Sequence, residues 1–187
     1  SGLSALGEHP VVFKNDSIWF MVFAGLDANN ISVFDTPKVV SGVGCVANSS
    51  IKEIRGKLIF LAEDGIYAFN GTSVIRKITE DRKTGADRLR STIQSITPGR
   101  RPFAAAAHWR KHSLYLLSVS VNGSNANNLV IVWDYLNDAF WLWDDIEAQF
   151  FLEDEDAYDN ERIYFGDASG RIYELGVGTT NHGEAIE

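Results

Sequence analysis

A chain of 187 residues, 45% hydrophobic and 12% aromatic, carries enough apolar surface to bury a core, which excludes general disorder. Its formal net charge of −8 excludes nucleic-acid binding over the whole surface, while a local basic patch stays open. The single cysteine, Cys45, leaves no intrachain disulfide to form, and no apolar run is long enough to span a bilayer.

Short strands in four successive units are predicted in chain order. The first unit has strands at 11–13, 18–23 and 31–34 and ends at Thr36-Pro37. The second has strands at 50–54, 58–62, 66–69 and 74–78. An insertion at about 80–102 follows, in which Leu89, Ile93 and Ile96 form one stripe of a short helix. Asp87 is the expected N-cap, and Thr97-Pro98-Gly99 the expected stop. The third unit has strands at 103–109, 114–121, 129–133 and 140–143. The fourth has strands at 150–152, 163–165 and 172–175, with the last residues, Glu184 to Glu187, reading as the start of another. Turn pairs such as Asn15-Asp16, Asp64-Gly65, Asn70-Gly71, Asn122-Gly123 and Ser169-Gly170 separate them.

The strands repeat. Gly56-Lys57-Leu58-Ile59-Phe60, then Glu63-Asp64-Gly65-Ile66-Tyr67, is echoed by Glu161-Arg162-Ile163-Tyr164-Phe165, then Ala168-Ser169-Gly170-Arg171-Ile172-Tyr173. Equivalent strand starts at Ile18, Leu58, Leu114 and Ile163 lie 40, 56 and 49 residues apart, close to the roughly 40–50 residues of a propeller blade. Several strands are apolar throughout, as when both faces are covered; a sandwich would show cleaner alternation. The expected fold is all-β: about four β-propeller-type blades forming one domain over 1–187, or part of a larger propeller, with one short helical insertion. A sandwich or barrel is the alternative.

The phrases Ser50 to Gly71, Leu129 to Asp144 (Leu-Val-Ile-Val-Trp-Asp-Tyr-Leu-Asn-Asp-Ala-Phe-Trp-Leu-Trp-Asp) and Arg162 to Leu175 resemble the β-propeller virion proteins of tailed bacteriophages. These are the packaged-DNA stabilisation, tail-nozzle and tail-tubular proteins of the neck and tail tube. The likeness covers roughly residues 40–187 and is one of strand phrases, not of a catalytic motif. It implies a structural protein of the virion, a ring of subunits around the DNA exit channel, other virion proteins as partners and no enzymatic activity. The chain is shorter than a complete member of that family, and its first residues, Ser1-Gly2-Leu3-Ser4, lack a Met, so it reads as a piece of a longer protein.

No nucleophile motif is present, and no cofactor or small-molecule substrate is expected. Gly42-Val43-Gly44-Cys45 matches a short dinucleotide fingerprint, but a strand follows it where a helix is needed; a loop between blades is the better reading. Trp133-Asp134 and Trp143-Asp144 match the end of WD repeats, though as turn-opening aspartates they need no further role. His108 and His112, four apart, would share a metal only on a helix. Five Asn-x-Ser/Thr triplets, at Asn15, Asn30, Asn48, Asn70 and Asn122, are what turn-rich β chains produce by chance. Glu153 to Asp156, with Asp159 and Glu161, has the oxygens for a Ca²⁺ but not the spacing; a solvated acidic hairpin is the default. Residues 81–112 carry +6 and the rest −14. Within that run Arg88, Arg90, Arg100, Arg101, Arg110 and Lys111 are candidates for contact with a partner subunit or with DNA phosphates. The basic segment of one copy meeting the acidic hairpin of another would supply a ring contact. The rivals are a WD- or kelch-like binding scaffold, and a carbohydrate-active propeller using paired carboxylates such as Asp144 and Asp145 or Glu155.

Overall fold

The computed structural model describes residues 2–73, 75–177, 180–181 and 184–185. Strands make up 47% of the chain and helices 10%, so the all-β class read from the sequence holds. The chain divides into two compact units, Ser1–Gln94 and Ser95–Glu187. Among the described residues no helix is long and apolar enough to cross a membrane.

The first unit holds two four-stranded antiparallel sheets. One is built from β1 (Gly2–Leu6), β2 (His9–Phe13), β3 (Ser17–Phe20) and, after the ribbon of β4 (Val22–Leu26) and β5 (Ser32–Asp35), β6 (Lys38–Ser41); its order is β1-β2-β3-β6. The other is an up-and-down meander of β7 (Lys52–Ile54), β8 (Lys57–Leu61), β9 (Ile66–Phe69) and β10 (Ile75–Lys77). Alternation along each strand sends Val11, Phe13 and Ile18 of the first sheet against Leu58, Phe60, Tyr67 and Phe69 of the second. Phe13 lies with its ring centroid 4.9 Å from Phe60 and meets Phe69 edge-on at 6.4 Å. Ile59, Leu61, Ile66 and Ala68, at the alternate positions of β8 and β9, are buried as well, as expected of a strand covered on both faces.

The strand expected at 18–23 is in fact two. After Phe20 the chain leaves the sheet: the Phe20 amide donates to the Pro37 carbonyl and the Met21 amide to the Pro10 carbonyl. The segment 31–34 accordingly pairs with β4 in a separate two-stranded ribbon, and β6, not foreseen, completes the sheet. Continuous apolar content made 18–23 look covered on both faces. Yet Val22, Phe23, Leu26, Ile31, Val33 and Phe34 are all exposed.

The second unit opens as α1 (Arg90–Ser95) ends. Leu89, Ile93 and Ile96 are each buried, but Asp87 does not cap the helix. It stands three residues before Arg90 and pairs with Lys77 Nζ at 3.0 Å. A 3₁₀ segment, Pro98–Phe103, follows. Then β11 (Ala105–Trp109), β12 (Leu114–Val119), β13 (Leu129–Asp134) and β14 (Ala139–Trp143) form a four-stranded meander, and β15 (Phe150–Glu155), β16 (Glu161–Gly166) and β17 (Ile172–Glu174) a three-stranded one. Ala107, Leu116, Val130 and Val132 pack against Ile163 and Phe151 between these two sheets. A last pair, β18 (Thr180–Asn181) and β19 (Glu184–Ala185), follows. Val74, His182, Ile186 and Glu187 lie outside the described residues.

The turns share one chemistry. Asp27, Asp156 and Asp167 each open a hairpin loop and accept, through one side-chain oxygen, the backbone N–H groups two and four residues on. The residue three on takes a left-handed conformation: Asn30 at φ 65°, Asp159 at 61° and Gly170 at 81°. This is a type I turn closed by a left-handed residue, which suits Asn, Asp or Gly at that position. Asn122 is also left-handed and the Asn70 side chain accepts from the Thr72 amide, so these two triplet asparagines serve as turn residues, while Asn48 accepts from the distant Leu3 amide.

Truncating a core ring and an exposed one should separate sharply. Phe60→Ala is expected to lose about 3–5 kcal/mol in urea unfolding, and Phe23→Ala on the ribbon under about 1 kcal/mol.

Candidate functional site

The acidic strands β15 and β16 come alongside the outer edge of β11, and the basic end of β11 meets them. An edge strand presents unpaired N–H groups. Here carboxylates fill that role. Glu153 Oε1 accepts from the His108 amide at 2.9 Å, and Glu161 accepts from the Arg110 amide at 2.9 Å through Oε1 and from the Lys111 amide at 2.7 Å through Oε2. The Arg110 guanidinium then bridges Glu161, at 3.2 Å, and Glu155. Asp156 is bound into its own turn and to Arg162 at 3.3 Å, and Arg162 also reaches Glu174 at 3.4 Å. The basic segment and the acidic hairpin thus meet within one chain, where the sequence had set them against each other between copies.

The six basic candidates are divided by the fold. Arg88 turns inward, donating from Nη2 to the Ile78 carbonyl at 2.8 Å. Arg90 is exposed at the start of α1. Arg100 and Arg101 are half-buried in the 3₁₀ segment, with the Arg100 guanidinium 4.2 Å from the Phe103 ring centre. Arg110 is spent on carboxylates, and Lys111 is exposed beside it. The five residues of β11 separate Arg100 and Arg101 from Arg110 and Lys111 by roughly 16 Å of strand, so the run is not one patch.

A cavity of about 270 Å³ lies next to this junction, lined among others by Trp109, Lys111, His112, Arg162, Glu174 and Leu175. Two of its acids are held in the charged form. Burial would raise Glu161, but the Lys111 and Arg110 amides and the Arg110 guanidinium outweigh it and hold the carboxyl below its ordinary value. Hydrogen bonds from the Asn160 side chain and backbone, and then from the Tyr158 amide, hold Asp156 down at about 2. A glycosidase acid needs its pKa raised. Among the described residues no three His, Cys, Asp or Glu side chains converge as a metal set. His108 bonds Tyr135 Oη at 3.1 Å, while His112 packs edge-on against Trp109 at 4.2 Å, so the two histidines do different things.

The remaining motifs resolve into structure. Asp134 accepts the Leu136 and Asn137 amides and opens a turn. Gly42 to Ala47 forms a loop that ends in the three-residue 3₁₀ turn Asn48–Ser50, too short for a phosphate-binding helix. Gly44 is needed for contact: a Cβ there would lie 2.0 Å from the Lys14 carbonyl, to which the next amide, Cys45, donates. Sequence reasoning missed the edge-capping role of Glu153 and Glu161. The turn role of Asp156 did leave a signal, since Asp156-x-x-Asp159-Asn160 follows the Asp167-x-x-Gly170 pattern.

No protein-family model and no curated protein matches this chain.

Two measurements test the junction. Glu161→Ala, which strips two edge amides of a charged acceptor, should cost about 2 kcal/mol, and Arg110→Ala, whose guanidinium is mostly exposed, under about 1 kcal/mol. The pH dependence has a fixed sign. Asp81, Asp134, Asp156, Glu161 and Asp167 are all held below their ordinary values by hydrogen bonds. Their contribution is therefore full above the unfolded carboxylate pKa of about 4 and is lost as pH falls toward the folded values. The urea midpoint should drop steeply between about pH 4 and 2, and less so in Asp156→Ala.

Proposed function

We propose that this chain is a non-enzymatic structural module of a tailed-phage virion, from the neck or tail tube, whose small sheets are blades of a β-propeller. The observation that carries this reading is the succession of short antiparallel meanders in chain order, β7 to β10, β11 to β14 and β15 to β17, packed in face-to-face pairs around an aromatic core in the first unit and an aliphatic one in the second. The resemblance of the strand phrases to virion propellers supports it. Its mechanism is rigid presentation: paired strands fix the blades, and the loops at their ends dock neighbouring virion proteins. Assembly into a homo-oligomeric ring belongs to this proposal. Phosphate contact by Arg90, Arg100 and Arg101 is a second use of the exposed and half-buried cations. It would show as duplex binding whose salt slope falls in Arg100→Glu/Arg101→Glu.

Mass spectrometry of purified particles of the encoding phage tests the reading. The expected result is that peptides of this chain are present in a fixed ratio to the portal protein, from a gene lying among portal, terminase and capsid genes. A product absent from particles, or a polysaccharide hydrolase activity that disappears on replacing one carboxylate, overturns it.

A further inference from the structure

The cavity beside the β11 junction lies wholly within the second unit and joins an apolar wall to unused polar groups. Trp109 ends β11 with its indole half-buried, and Leu175 and Val177 line the cavity with it. Two contacts hold the indole in place. The His112 ring meets it edge-on at 4.2 Å, and Gly176 comes so close that a Cβ there would lie 2.8 Å from the six-membered ring. A wall fixed before binding loses little entropy when a ligand arrives.

The polar lining divides into spent and free groups. Glu161 is taken by the Arg110 and Lys111 amides and the Arg110 guanidinium, and Asp156 and Glu174 by Arg162. Among the described residues, the Lys111 ammonium, the ring nitrogens of His112, the Trp109 Nε1–H and the Asn160 Oδ1 have no hydrogen-bond partner. That set holds both donors and acceptors, and His112 serves as either. Neither sign of charge dominates, because Asp156, Glu161 and Glu174 stand with Lys111, Arg162 and, across Glu161, Arg110. The volume of about 270 Å³ falls just below the roughly 300 Å³ at which sites for drug-sized ligands begin, so the ligand is a single ring in size. A neutral ring with apolar C–H faces and a rim of hydroxyls, each both donor and acceptor, matches the wall, the free groups and the volume together. A pyranose sugar has that chemistry.

We propose that this cavity binds one neutral pyranose unit without cleaving it, the C–H face of the sugar against Trp109 and its hydroxyls on Lys111, His112 and Asn160. The site does not depend on the virion reading, since its groups come from the second unit alone.

Protein-observed NMR on the full chain tests this, with glucose, galactose, mannose and N-acetylglucosamine as probes. At least one of them should shift the Trp109 indole N–H and the Gly176 and Val177 amides. The expected Kd is on the order of 1 mM, the range for a ligand of about twelve non-hydrogen atoms. Lys111→Ala and His112→Ala remove exposed side chains. Each should weaken that Kd about fivefold and leave the urea midpoint unchanged. No shift with any of the four sugars up to about 50 mM, shifts confined to residues away from the cavity, or the same Kd in both variants overturns the proposal. Tighter binding of glucuronate or inorganic phosphate than of any neutral sugar overturns it in favour of an anion site. Sugar binding has no bearing on whether the chain is found in particles, so the two readings fail separately.

Discussion

A sheet of three or four short strands has two faces and two edges, and too few residues to cover any of them alone. Everything else in this chain answers that constraint. The faces are covered by pairing sheets: Phe13, Phe60 and Phe69 fill the gap in the first unit, and Ala107, Leu116, Val130, Val132 and Ile163 fill the one in the second. Strands β8, β9, β12 and β13 are buried along almost their whole length.

The edges are treated differently. At the outer edge of β11 the His108 amide finds Glu153, and in the 3₁₀ turn Arg110–His112 that follows the Arg110 and Lys111 amides find Glu161. Side-chain caps of this kind link two sheets without merging them into one. They also explain the acidic hairpin. Glu153, Glu155, Asp156 and Glu161 accept from particular donors while Asp154 and Asp159 stay exposed, and the donors to Glu161 hold it below its ordinary value despite its partial burial.

How much of this was legible depended on how local the cause was. The strands 58–62, 66–69 and 129–133 were found because a run of apolar residues bounded by turn pairs has few other readings. The helix stripe of Leu89, Ile93 and Ile96 was likewise a matter of spacing. The run 18–23 misled, because composition does not distinguish an apolar residue that faces a core from one that faces solvent: Ile18 is buried in β3, while Val22 and Phe23 lie exposed on the ribbon. The pairing of Arg110 with Glu161 spans 51 residues, and no pattern within a window of that chain could disclose it. The sign of the charges was visible, but not that they would meet in one molecule.

That separation has a kinetic side. Hairpins close over a few residues and can form early, whereas the bonds from Glu153 and Glu161 to β11 join positions 45 to 51 apart. Contacts bridging that much chain are made after most of the loop entropy has been lost. They then stabilise the native state more than the barrier to reaching it. The junction therefore acts as a latch on unfolding: it lengthens the lifetime of the assembled second unit while leaving the speed at which its hairpins find one another nearly unchanged.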